Sequence, residues 1–220
     1  MTRNPFFPQY NDLPSQLPIF PLAGAVVMPG VQLPLNIFEP RYLNMVNDAL
    51  AGDRLIGMVQ PRSETADDEV PQIHRVGCAA RITSYSETND GRLVLVLTGV
   101  CRFHVRRELE SQRGYRRVEP DWERFTVDFH RSEADVVDRN GFLSSLHAYC
   151  NLRHVEIPWD DAKKMPIQDL VDLLCAHLPL EPEDKQALIE TLDVRDRAQL
   201  MRGLMDMASA SSVGTAEHRH

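Results

Sequence analysis

Lysine is scarce in this sequence. Its 220 residues hold only Lys163, Lys164 and Lys185, and no glycine is followed by lysine. A P-loop needs that pair to cradle phosphates, so a nucleotide site of that type is excluded. Cysteine is sparse too. Cys78, Cys101, Cys150 and Cys175 are widely spaced, with no C-x-x-C pair. Each sits in an apolar stretch, where a free thiol acts as a small hydrophobe. They are expected to be reduced and to bind no zinc. No apolar run follows Met1 as a secretion signal would require, so a cytoplasmic setting is expected. Positive charge is also in deficit. The net charge is −8 and the pI about 5.5, which argues against general affinity for nucleic acid or anionic lipid. Residues 1–120 are neutral, with 13 basic and 13 acidic side chains, whereas 121–220 carry 11 and 19. The one long uncharged run, residues 17–38, contains Pro18, Pro21, Pro29 and Pro34. Four prolines break a membrane helix, so no membrane span is expected.

The composition is that of a globular protein, 43% hydrophobic and 25% charged, with enough length to bury a core without metal or disulfide. Residues 1–16 are polar and read as an arm. The uncharged run reads as two strands, Ala25–Met28 and Gln32–Ile37, turned at Pro29-Gly30. Pro40 opens a helix in which Tyr42, Met45, Val46, Ala49 and Leu50 share a face, and Gly52 stops it. A strand follows at Arg54–Gln60 and an acidic loop at Pro61–Gln72. Cys78–Tyr85 and Arg92–Thr98 flank the turn signal Asn89-Asp90-Gly91. Leu93–Leu97 lacks polar alternation and is expected to be buried on both faces. Beyond Gly99 a separate strand, Val100–Arg107, alternates Cys101, Phe103 and Val105 against Arg102, His104 and Arg106. Further strands are expected at Tyr115–Glu119 and Glu123–Phe129.

After residue 131 the period changes to that of helices. One is expected from an N-cap at Ser132 to Leu152, and others from Pro166, from Pro182 and from a cap at Asp193 to Ala208. The expected organisation is an arm (1–16), a β-rich unit (17–130), a helical unit (131–208) and a disordered tail (209–220). The fold class is α+β.

Few residue constellations suggest chemistry. Cys101 and His104 lie on opposite faces of a strand and cannot readily share an ion. His147, Cys150 and His154 fall on one helical stripe, but a packed cysteine bordered by histidines accounts for them better than zinc. Asp160 and Asp161 are adjacent, so they do not face each other on a helix and instead complement its N-terminus. Glu39 and Arg41 flank Pro40 and read as a local ion pair or a helix cap rather than a ligand site. No nucleophile stands at a telling distance from a base, which leaves a hydrolase without support.

Three stretches together resemble the Lon N-terminal, substrate-recognition domain family. They are residues 17–50, LPIFPLAGAVVMPGVQLPLNIFEPRYLNMVNDAL; residues 77–105, GCAARITSYSETNDGRLVLVLTGVCRFHV; and residues 173–205, LLCAHLPLEPEDKQALIETLDVRDRAQLMRGLM. The resemblance runs from residue 17 to about 207, and NIFEPRY (36–42) looks closest to free-standing members. It implies a PUA-like β pseudo-barrel with one inserted helix, followed by a small C-terminal helical bundle. It also implies a module without the family's ATPase and peptidase parts. None of the three lysines has the context of the family's Ser–Lys peptidase. The expected function is therefore non-enzymatic and cofactor-free: binding unfolded segments or a partner protein through an apolar surface or an open sheet edge. Phe38, Tyr42 and Trp122 are the candidate contacts. PUA-like folds include RNA binders, so an alternative uses the basic stretch 102–117, with Arg102, Arg106, Arg116 and Arg117 as contacts. The neutral β-rich half and the lack of interleaved aromatics weigh against it.

Overall fold

In the computed structural model of the protein, residues 7–62, 70–130 and 138–217 are described, with side chains to Ala210. Six strands come first: β1 (Leu17–Pro21), β2 (Gln32–Ile37), β3 (Leu55–Val59), β4 (Val76–Glu87), β5 (Leu93–Gln112) and β6 (Tyr115–Asp121). Helix α1 (Pro40–Ala51) lies between β2 and β3. After a 3-10 segment, Glu123–Phe129, come α2 (Arg139–Arg153), α3 (Trp159–Lys164), α4 (Ile167–His177), α5 (Pro182–Glu190) and α6 (Val194–Glu217). The architecture is α+β, as expected.

The sheet order is β2-β5-β4-β3-β1-β6, with an additional β5–β6 pairing. Five strands thus close into an irregular ring, and β2 is an extra edge strand bonded to β5. The length of β5 makes this closure possible. Its first half pairs with β2 and β4, and its second half turns to β6. Register shifts between Ala79 and Ala80 and between Val105 and Arg107 supply the bend. Gly99 N donates to Val31 O at 2.9 Å. Antiparallel bonding alternates, so Pro34 faces the free edge of β2. It offers no donor there, which limits strand addition.

Several expectations are corrected. The chain at Ala25–Met28 is irregular; the strand lies earlier, at Leu17–Pro21. Gly99 does not divide two strands but sits inside one. A Cβ there would lie 2.1 Å from Met28 O, so the glycine lets the 28–31 segment cross the strand closely. Leu93, Leu95 and Leu97 are buried, but Val94 is exposed, so this part of β5 is covered on one face. Glu123–Phe129 forms 3-10 turns rather than a strand, with Phe125 fully buried. Helix α2 begins at Arg139 under a cap from Asp138, which accepts from Gly141 N at 3.0 Å; Ser132 lies outside the described residues. Helix α6 runs to Glu217, past the expected end at Ala208 and through most of the tail expected to be disordered. The arm carries a 3-10 turn at Tyr10–Asp12, with Tyr10 edge-on to Phe129 at 6.0 Å.

The helices share one core with the sheet, and buried polar contacts fix their docking. Gln60 Nε2 donates to Pro182 O at 2.9 Å and to Gln186 Oε1 at 3.1 Å, while Gln186 Nε2 reaches Val76 O at 3.2 Å. Lys185 Nζ donates to Gly24 O at 3.0 Å and to Ala176 O at 3.1 Å. The second carbonyl is in the last turn of α4, where a cation is favoured by the helix dipole. All four cysteines are buried and free. No described helix is long and apolar enough to cross a membrane.

Candidate recognition cleft

Pro40 determines how the cleft begins. The residue before a proline is held extended, and Glu39 is, at φ −70° and ψ 133°. The chain turns sharply there from β2 into α1. That turn leaves Phe38 outside, 62% exposed, and sends Tyr42 inward. Tyr42 is buried, its ring centroid 4.2 Å from that of Phe20. Burial raises the Tyr42 pKa, against a smaller lowering by Arg41. Glu39 makes no side-chain cap to the helix and instead accepts from Arg41 Nε at 2.9 Å, the ion pair expected from the sequence. Arg41 also lies over the Tyr42 ring at 4.7 Å.

Phe38 and Tyr42 line the same cleft, of about 490 Å³. Phe20, Leu35 and Ile37 add apolar surface; Pro61, Val70 and Pro71 form one wall, and Ser111, Gly114 and Arg116 another. The second wall is the β5–β6 hairpin, which turns through Arg113 and Gly114, both at positive φ (49° and 88°). A clasp to α1 holds it. Arg113 donates to Asn44 Oδ1 at 2.8 Å and pairs with Asp48, and Tyr115 OH donates to Asp48 Oδ2 at 2.9 Å. Burial, and then the Asp48 contact, push the Tyr115 hydroxyl up to about 12. Arg116 ties the two walls together, reaching Pro71 O at 2.8 Å and gripping both Glu108 oxygens at 2.8 Å.

Trp122 does not line this cleft. It is half-buried, edge-on to Phe103 at 5.7 Å, and its Nε1 donates to Pro14 O at 3.0 Å. It fastens the N-terminal arm.

The arginine surface of the RNA alternative is also corrected. Arg102 is 1% exposed, because the outward face of β5 is covered by the 3-10 segment and the α5–α6 connection. Its Nη2 lies 2.7 Å from Asp128 Oδ1, and its Nη1 donates to Ile189 O at 3.1 Å and Thr191 O at 2.6 Å. Arg106 is exposed but pairs with Glu119 at 3.4 Å. Arg116 is paired as above, and Arg117 donates to Glu110 O and Gln16 Oε1 at 3.2 Å. Arg102, Arg106 and Arg116 are thus neutralised by carboxylates, whereas the acceptors of Arg117 are neutral. Among the described residues no three histidine, cysteine or carboxylate side chains converge as metal ligands. His147 stacks on Trp159 at 4.8 Å, Cys150 is buried, and His154 is the left-handed cap of α2.

A second buried ion pair was not foreseen from the sequence. Asp172 of α4 and Arg197 of α6 are 3% and 2% exposed and approach to 2.9 Å. They are poorly aligned, and Asp172 Oδ1 and Arg197 Nε have no hydrogen-bond partner. Burial raises the Asp172 carboxyl to about 6, against the pull of Arg197 and Arg102. The only sequence signal was a charge beside the apolar stripe of α4.

A family model described as the ATP-dependent protease La (LON) substrate-binding domain matches residues 16–207. The chain is 28% identical over 201 residues to Lon protease 2 of Myxococcus xanthus, covering 89% of this chain and 24% of the relative. It is 29% identical over 203 residues to the Lon protease of Anaeromyxobacter dehalogenans, with the same coverages. The chain thus spans about a quarter of the length of these curated relatives. A Lon N-terminal domain protein from Xanthomonas campestris superimposes with a TM-score of 0.60 at 26% identity, over 84% of this chain and 96% of that one. The N-terminal domain of Mycobacterium avium complex Lon protease shares the fold, with a TM-score of 0.64 at 17% identity over 87% and 98% of the two chains. By the extent of the family match, carried on a closed sheet followed by helices, the protein belongs to the Lon substrate-binding domain family.

Proposed function

We propose that this chain is a non-enzymatic recognition module that holds unfolded polypeptide segments in the cleft beside Phe38. The observation that carries this reading is the aromatic placement. An exposed phenylalanine stands at the rim, above a floor of Phe20 and Tyr42. Large apolar side chains left at a cleft mouth mark binding surfaces, and membership of a substrate-binding family supports polypeptide as the ligand. Among the described residues no histidine, cysteine or lysine lines the cleft, which supports binding without chemistry and without a cofactor. Four buried free thiols suit a reducing compartment, which supports a cytoplasmic location.

The cleft arginines are already paired, so the ligand is an apolar stretch rather than a charged one. Binding is weak, because fixing a flexible chain opposes it, and it is largely insensitive to salt. Fluorescence anisotropy with labelled test proteins, native and reduced-unfolded, checks this. Phe38→Ser removes a ring that binding would cover, a loss of about 1–2 kcal/mol, or roughly 5- to 30-fold in Kd for the unfolded forms. Equal affinity for native and unfolded forms, or an unchanged Kd in Phe38→Ser, would sink the proposal.

A further inference from the structure

The buried pair of Asp172 and Arg197 stands at the joint between α4 and α6, and its two halves are held differently. Arg197 is anchored. Its Nη1 donates to Thr191 O at 2.7 Å and to Leu192 O at 3.4 Å, in the link between α5 and α6. It approaches Asp172 Oδ1 at 2.9 Å but out of line, so that oxygen and Arg197 Nε both lack a hydrogen bond. Asp172 sits on a helix with room to move. The principal neighbours of α4 are α6 and α5, and toward β2 it faces a groove of about 660 Å³ rather than packed chain. The two ends of α4 are pinned to α2, where Arg139 Nη2 donates to Met165 O at 2.7 Å and Tyr149 OH to Pro179 O at 2.9 Å. Between those pins the charge pair bridges α4 and α6. The other groups that face Asp172 are Arg102 from β5 and Asp128 from the 3-10 segment. Cys175, one turn further along α4, feels Asp172, Arg197 and, from α5, Lys185. Asp169 and His177 lie on the groove side of α4, and residues 29–34 across the groove carry no charge.

We propose that the Asp172–Arg197 pair is a pH-sensitive latch, holding α4 against α6 at acid pH and loosening as the pH becomes neutral. The misalignment is the physical cause. An ionised Asp172 gains less from Arg197 than an aligned pair would give, too little to offset its lost hydration. Arg197 cannot turn toward it without leaving the Thr191 and Leu192 carbonyls, whereas the groove gives α4 space to shift. Burial accordingly raises the Asp172 carboxyl to about 6, against the pull of Arg197 and Arg102. Where α4 lifts, water reaches that carboxyl and it returns to the ordinary 3.8. The closed joint therefore binds the proton more tightly. Its extra stability is full below pH 3.8 and is lost as pH rises through 6. Between pH 5 and pH 7.5 the opening equilibrium should rise about tenfold. The latch is independent of the cleft at Phe38.

Hydrogen exchange of the full chain, read by mass spectrometry and corrected for the intrinsic rate at each pH, tests this. Protection of the α4 amides should fall about tenfold from pH 5 to pH 7.5. Protection of α1, which packs on β1, β3 and β6, should stay constant. Asp172→Asn, which cannot ionise, should abolish the fall. Histidine side chains change charge in the same interval, so His177→Gln, an exposed change on the same helix, is the control and should keep it. Unchanged protection of α4, or equal falls in α4 and α1, would overturn the proposal. So would a fall that persists in Asp172→Asn or disappears in His177→Gln. If circular dichroism shows that Asp172→Asn does not fold, the comparison of α4 with α1 in the wild type and in His177→Gln still decides.

Discussion

Arg102→Ala should destabilise this protein more than any other single arginine change on the β5–β6 face. The wild-type guanidinium uses Nε and Nη2 on Asp128, at 3.1 Å and 2.7 Å, and Nη1 and Nη2 on the carbonyls of Ile189, Thr191 and Leu192. It also lies 4.8 Å from the Phe125 ring centroid. Alanine would leave Asp128, 5% exposed at its side chain, as a buried carboxylate whose remaining bond is from the Arg102 backbone N–H at 2.8 Å. Breaking one side of a buried ion pair costs about 3–5 kcal/mol. Of the three carbonyls only that of Ile189 would lose its side-chain donor, since Arg197 Nη1 still donates to Thr191 O at 2.7 Å and to Leu192 O at 3.4 Å, so the pair sets the scale. For a domain of this size each kcal/mol lowers Tm by roughly 2–4 °C, which gives a fall of about 6–20 °C. Urea unfolding followed by circular dichroism measures the free energy directly. Arg106→Ala is the comparison, since its exposed pair with Glu119 is worth less than about 1 kcal/mol. Replacing both buried partners, as Arg102→Met with Asp128→Leu, should recover most of the loss, because no lone charge remains. A loss below about 1 kcal/mol in Arg102→Ala, or an equal loss in Arg106→Ala, would refute the reasoning.

Asp172 makes a pH-dependent contribution whose sign follows from its raised carboxyl, about 6 in the folded chain against 3.8. The folded state binds that proton more tightly, so the contribution is full below pH 3.8 and is lost as pH rises through 6. Its size is about 3 kcal/mol, from roughly two pKa units. The stability difference between wild type and Asp172→Asn should therefore change by about that amount between pH 4 and pH 7.5. A flat difference would contradict the assignment. Gly99→Ala pushes a methyl to within 2.1 Å of Met28 O, and neither backbone can yield freely. It should lower the unfolding free energy by about 3 kcal/mol, at the upper end of overpacking effects. An unchanged urea midpoint would mean that the crossing at residues 28–31 is looser than described.

Much of the fold was legible because its signals are local. Pro40 and Pro182 each begin a helix, and Pro166 caps one, as their fixed φ and missing donor dictate. Asn89-Asp90-Gly91 falls between β4 and β5. The errors arise where distant chain decides the environment. Alternation along Val100–Arg107 correctly placed Cys101, Phe103 and Val105 in the core. It also put Arg102 on the opposite face, but alternation cannot reveal that this face is covered by residues 26 and 87–90 positions further on. Gly99 read as a break because its actual role, admitting the segment at Met28, depends on a contact 71 positions away in sequence. The candidate cleft was half legible. Phe38 and Tyr42 both line it, since both flank Pro40. The walls at Pro61, Val70 and Pro71 and at Ser111, Gly114 and Arg116 came only from tertiary structure, and Trp122 was drawn elsewhere by the Pro14 carbonyl.

The two regions of the molecule are held by contacts of different strength, and the difference suits recognition. The charged side chains around the Phe38 cleft make exposed or half-exposed ion pairs. These are Arg116 with Glu108, Arg113 with Asp48, and Arg41 with Glu39. Links of that kind contribute about 1 kcal/mol or less each. The helices are fastened to the sheet by buried groups, Arg102–Asp128, Gln60–Gln186 and Lys185, and breaking these leaves desolvated polar atoms unpaired. The side chains at the cleft rim can therefore rearrange at small cost while the strands and the core stay closed. Under the proposed function a ligand without a fixed shape would offer different side chains each time, and a cleft whose rim side chains are weakly tied would adapt to them without disturbing the helices.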